Sequence, residues 1–142
     1  MNLAKLREKL LETGAKIGFQ VENETSKELT MHAELVASKY FKKAVYLRMV
    51  FFASGTIHVF LTFDKIEKTY DNFFLINRLN EENPWFRAYI VNLNNDDYLE
   101  LHYVAVDIEK EEQAMDTVAF LLNEVLEESI QQYLRPILKN SK

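Results

Sequence analysis

Apolar residues recur every three or four positions at the start of the chain, then every second position, and this change of period organises the rest. Leu3, Leu6, Leu10 and Leu11 keep helical spacing, with Lys5, Arg7, Glu8, Lys9 and Glu12 largely between them. That pattern predicts a short amphipathic helix. Gly14 is its expected stop, because glycine takes the left-handed conformation without steric cost. From 17 to 36 the period becomes two. Ile17, Phe19 and Val21, then Leu29, Met31, Ala33 and Leu35, alternate with polar neighbours. Such alternation predicts a half-buried strand, with 22–26 as a turn or bulge within it.

Two apolar runs follow, 45–53 and 56–63, separated by Ser54-Gly55, a short hairpin signal. A two-residue loop would set Ala53 opposite Thr56 and Phe51 opposite His58. One face would then carry Val45, Leu47, Met49, Phe51 and Phe60, with His58 and Thr62. The other would carry Tyr46, Arg48, Val50, Phe52, Ile57, Val59, Leu61 and Phe63. Both faces are apolar in that register, so helices covering one of them leave the other in need of shielding.

Helical spacing returns over 69–82, through Tyr70, Phe73, Phe74, Ile76 and Leu79. Asn83-Pro84 ends it, since the residue before proline is pushed out of helical geometry. Strands at 87–93 and 98–106 form a second hairpin around 94–97. Asp107 is the expected cap of a long final helix with Glu109, Glu111 and Glu112 at its positive end. Its stripe runs Met115, Val118, Ala119, Leu122, Val125, Leu126, Ile130 and Tyr133, and Pro136 limits its length. The order helix, three strands, helix, two strands, helix predicts an α+β fold, a five-stranded antiparallel sheet with three helices packed on it.

The stretch LINRLNEENPWFRAYI, residues 75–90, places Asn77 and Asn80 on one helix face. A carboxamide offers a donor and an acceptor together, which suits it to the spare backbone groups of an edge strand. Both asparagines are therefore expected to tie the middle helix to the sheet. Followed by YLELHYVAV, this stretch resembles the YbjN-like family, whose fold is shared with type III secretion chaperones. The matching positions are Asn77, Leu79, Asn80, Phe86 and Tyr89. The likeness in element order spans nearly the whole chain, and its sequence-specific part spans 73–106. It implies a chaperone-like or regulatory scaffold, although nothing in the chain identifies a cargo.

Composition narrows the remaining classes. At 142 residues, 1–142 fits a single domain long enough to bury a core. The absence of cysteine removes disulfides, thiolate metal sites and cysteine nucleophiles. The charged start MNLAKLREKLLETG does not read as a secretion signal. No window approaches the roughly 18 unbroken apolar residues of a membrane span. A cytoplasmic protein without membrane contact is expected. The net charge of −5 repels phosphate backbones, so no nucleic-acid partner is expected. Lys39, Lys42 and Lys43 around Tyr40 and Phe41 read as a charged turn.

Candidate chemistry is sparse. His32, His58 and His102 sit in separate strands without a close ligand pair. The pairs Asp96-Asp97, Glu111-Glu112 and Glu127-Glu128 fit a turn and solvated helix faces. With three glycines, a backbone cradle for phosphate has little material. No enzyme activity, cofactor or metal is expected. Phe52, Trp85, Phe86 and Phe120, with Leu121, are instead the candidate anchors for a protein partner. The expected function is a non-catalytic protein-binding module acting as a homodimer through the sheet face or the long helix. The alternative is a small-molecule or metal-sensing regulatory domain with a pocket of His58, Arg48 and Tyr103.

Overall fold

The computed structural model describes residues 1–35 and 44–139. The cluster Lys39, Lys42 and Lys43 with Tyr40 and Phe41, and the end of the run expected at 17–36, lie outside the described residues. The elements are α1 (Leu3–Thr13), β1 (Gln20–Glu24), β2 (Glu28–Leu35), β3 (Val45–Phe52), β4 (Ile57–Lys65), α2 (Tyr70–Glu82), β5 (Arg87–Leu93), β6 (Asp96–Ala105), α3 (Glu111–Glu124) and α4 (Glu128–Lys139). The fold is α+β with an antiparallel sheet. That sheet has six strands, in the order β1-β2-β3-β4-β6-β5, and the described residues form four helices.

The sixth strand comes from the segment expected as one strand over 17–36. Thr25 Oγ1 accepts from the N–H groups of Lys27 and Glu28 at 3.2 and 3.1 Å, and Thr25 N donates to Glu28 O at 2.8 Å. A threonine side chain that gathers donors two and three residues on reverses the chain. β1 and β2 therefore pair with each other, with a bulge between Val21 and Asn23.

The fourth helix comes from a break in the expected long one. Leu126 N and Glu127 N turn back to Asn123 O and Glu124 O at 3.1 and 3.0 Å, tightening the last turn of α3. The fully buried Gln131 donates Nε2 to Val125 O at 2.7 Å and so satisfies a carbonyl at the break. The cap differs too. Asp107 has φ 59°, and Gln113 Oε1 accepts from Glu109 N and Lys110 N ahead of α3. The buried stripe is Ala114, Val118, Leu121 and Val125. Leu121, expected on the exposed side, is thus in the core, and Ala119 is exposed.

The β3–β4 hairpin corrects the expected register. Phe51 pairs with Ile57, and Phe52 N donates to Thr56 O at 2.9 Å, so the loop is Ala53-Ser54-Gly55 with Gly55 at φ 106°. Three-residue loops of this kind close with a glycine at positive φ. A slip of one residue moves every side chain of a strand to the opposite face. Ile57, Val59, Leu61 and Phe63 consequently join Val45, Leu47, Met49 and Phe51 on one face, all buried. The other face of β4 carries His58, Phe60 and Thr62. The β5–β6 hairpin is tighter than expected, turning on Asn94 and Asn95 alone, at φ 53° and 68°.

The main hydrophobic cluster of the described residues lies between the sheet's apolar face and the helices. α1 packs on α3 and β2, and α2 packs on α4 and β5. Arg7 adds a two-pronged bond from α1 to both carboxylate oxygens of Glu24 on β1, at 2.7 Å each. Gly14 ends α1 at φ −95°, which is not left-handed. Its lack of a side chain matters for space, because a Cβ there would lie 2.3 Å from the ring of Phe19.

Candidate functional site

With the helices on one face, no element of the described residues covers the opposite face of the sheet, and the register fixes what it displays. His32 pairs with Arg48, Arg48 with Phe60, Phe60 with His102 and His102 with Arg87. These side chains form one row across five strands. The row beside it runs Glu34, Tyr46, Thr62, Glu100 and Tyr89, and the row on the other side runs Thr30, Val50, His58 and Val104. Thr30 and Val50 are buried, whereas Tyr46, Arg48 and Val104 are exposed.

The two halves of this face differ in chemistry. On the β1–β3 side Glu22 gathers the polar groups. Its carboxylate accepts from Tyr46 Oη at 3.2 Å and from Arg48 Nε at 3.3 Å, and His32 Nδ1 lies 3.3 Å away. On the β4–β6 side the content is aromatic. Phe60 stacks on His102 with ring centres 4.3 Å apart and planes 5° from parallel. His58 Nδ1 and His102 Nε2 are 3.0 Å apart, with ring centres at 5.2 Å and planes 12° apart. The two imidazoles thus meet nitrogen to nitrogen at hydrogen-bond distance, with the tautomer deciding which ring donates. Phe52 sets its edge against His58 at 6.0 Å. Thr62 donates to Glu100 at 3.1 Å, and burial together with a bond to Glu100 pushes the Tyr89 phenol well above its ordinary value.

Burial pushes the His102 imidazole below its ordinary value, and His58 and Arg87 push the same way against Glu100. A lowered imidazole value means that the unfolded chain takes up its proton first as pH falls. The contribution to stability is full above the ordinary value of 6.5 and is lost as pH drops from there through the folded value. The melting temperature is therefore expected to fall between about pH 7.5 and about pH 5.5, and His102→Phe should flatten that slope. Thermal melts of both proteins across this range test it.

A groove of about 350 Å³ opens where α2 hands over to β5, lined by Asn80, Asn83, Pro84, Trp85, Phe86, Arg87, His102 and Val104. Local bonding builds its wall. Asn83 Oδ1 accepts from Trp85 N and Phe86 N, both at 3.0 Å, which turns the chain at the helix end. Asn80 Nδ2 donates to Ala88 O at 2.8 Å, and Ala88 N donates to Asn80 Oδ1 at 2.6 Å. One asparagine thus holds both backbone groups of a residue on edge strand β5. Asn77 is exposed on α2 and takes no part in that tie. Asn80 makes the tie to the strand by itself, while Asn83 only turns the chain between α2 and β5.

The expected anchors separate. Trp85 is 45 % exposed and Phe120 40 %. They meet edge to face at 5.2 Å, so α3 and the α2–β5 connection present a joint aromatic patch. Phe52 is half-buried on the open face. Phe86 is not a surface anchor: it is buried and directed toward Tyr103, because it alternates with Arg87 and so faces the core. The pocket expected from His58, Arg48 and Tyr103 is not assembled either, since Tyr103 pairs with Val59 on the helix-covered face. Arg87 and His102 were missed as neighbours. Alternation along β5 and β6 would have placed them on one face once the first hairpin's register was right.

Among the described residues no three histidine, aspartate or glutamate side chains converge as a metal site needs, and no helix is long and apolar enough to cross a membrane. No family model, no curated protein and no solved structure matches the chain.

Proposed function

We propose that the chain is a non-catalytic protein-binding module, chaperone-like or regulatory, that works in the cytoplasm as a homodimer. The observation that carries this reading is the open half-face of the sheet. From Phe52 through His58, His102 and Val104, apolar and aromatic groups follow one another at its surface to Trp85 at its rim, which meets Phe120 of α3. Aromatic groups exposed in a continuous path are typical of surfaces that meet another polypeptide. A partner would lie across the strands as an extended or helical segment. The resemblance of 75–90 to the YbjN-like and secretion-chaperone scaffold points the same way.

Trp85→Ala is expected to reduce stability by only about 1 kcal/mol, the order of one lost edge-to-face contact, while it abolishes recovery of the partner from host extract. A variant that still recovers the same protein as the native chain would overturn the assignment of Trp85. Sedimentation at high micromolar concentration tests self-association, and a monomer there removes the homodimer. A second reading, a small-molecule or metal-sensing domain, has one observation in its favour, the facing nitrogens of His58 and His102. A melting temperature raised by zinc or nickel in dialysed protein would favour it.

A further inference from the structure

We propose that the groove beside Trp85 docks an acidic peptide segment of a partner protein, a carboxylate seated on Arg87 and an adjacent apolar side chain on the indole. The proposal rests on the protein-binding reading above and names the chemistry of what is bound.

Arg87 stands out by its ion pairing. Arg7 holds Glu24, Arg48 holds Glu22, Arg78 holds Glu81 and Glu82, and Arg135 holds Glu128. Arg87 makes no ion pair among the described residues and is exposed, in a chain whose net charge is −5. Its position explains why. β5 is an edge strand, so Arg87 has a cross-strand neighbour on one side only, and that neighbour is His102. Glu100 on the same face is engaged by Thr62 and Tyr89. At the end of α2, Glu82 is engaged by Arg78 and Tyr133. A guanidinium in this state offers a planar fork of donors matched to a carboxylate.

The rest of the groove fixes the kind of segment. Trp85 and Val104 are each 45 % exposed beside Arg87, so an apolar side chain next to the carboxylate has somewhere to go. A peptide cannot extend the sheet at this point, because Asn80 already holds Ala88 N and O. Recognition therefore runs through side chains. A nucleic acid fits poorly, since an acidic chain offering one unpaired arginine repels a polyanion at range.

Trp85 is the single tryptophan of the chain, so its emission reports on the groove directly. The probe is a capped tetrapeptide alternating glutamate and leucine, compared with the same peptide carrying glutamine for glutamate. The acidic peptide should give a saturable change in emission. Its affinity should fall about tenfold in Arg87→Gln and for the glutamine peptide, the scale of one lost charge-assisted bond, and Arg87→Lys should lie between. Raising salt should weaken it. Equal binding of both peptides overturns the carboxylate assignment and leaves the protein-binding reading standing. No saturable change with either peptide overturns this proposal, whereas the protein-binding reading falls only if the native chain also recovers no partner from host extract. An Arg87→Gln chain that changes its sedimentation without changing peptide affinity makes the occupant a second copy, which overturns the proposal as well.

Discussion

Gly55→Ala is expected to destabilise the protein by about 3 kcal/mol, through a strained backbone and a steric collision together. Gly55 has φ 106°, a conformation that side-chain-bearing residues rarely adopt. A Cβ built on it would lie 2.8 Å from Ile108 O and 3.2 Å from Ile108 N. Those are backbone atoms of the segment after β6, and Ile108 N donates to Gly55 O at 3.0 Å. The tip of the β3–β4 hairpin and the approach to α3 are thus pressed together without room for a methyl group. Urea unfolding of Gly55→Ala beside Ser54→Ala checks this, since the exposed neighbour should change stability by less than about 0.5 kcal/mol. Equal midpoints for the two variants would contradict this loop geometry.

Asn80→Ala should cost about 2 kcal/mol, the sum of two hydrogen bonds at about 1 kcal/mol each. Asn77→Ala, on the exposed side of the same helix, should be neutral within about 0.5 kcal/mol. Amide hydrogen exchange gives the sharper readout. Ala88 N–H is held by Asn80 Oδ1, so its protection should fall in Asn80→Ala and stay unchanged in Asn77→Ala. Loss of protection in both variants would mean that α2 depends on more than this one side chain to hold the edge. A freed edge at Ala88 also presents backbone groups to other chains, so Asn80→Ala should aggregate more readily.

These two positions show how far the sequence could be read. The helix expected at 69–82 runs Tyr70–Glu82, with Thr69 as N-cap and Asn83 as C-cap. It was legible to within one residue because helical spacing and Asn-Pro are local signals. The tie from helix to edge strand was legible as a kind of contact. Which asparagine makes it was not, since Asn77 and Asn80 lie three positions apart and only the packing of α2 separates them. The first hairpin failed on one residue of loop length. Ser54-Gly55 reads equally well as a two-residue turn or as the end of a three-residue one, and Ala53 carries nothing that distinguishes them. That ambiguity exchanged the faces of β4 and hid the row that contains Phe60, His102 and Arg87. The break between α3 and α4 depends on a buried glutamine, Gln131, six residues beyond the carbonyl it satisfies. A polar residue in an apolar stripe was its only trace.

The strand order has a consequence for how the molecule is made. β4 pairs with β3 on one flank and with β6, not β5, on the other. Two antiparallel blocks, β1–β4 and β5–β6, are therefore joined along a single seam. During synthesis the first block leaves the ribosome with the outer flank of β4 unsatisfied, and it stays so until α2, β5 and most of β6 have followed. Ile57, Val59 and Leu61 lie along that seam, so the nascent chain is most open to mispairing in that interval.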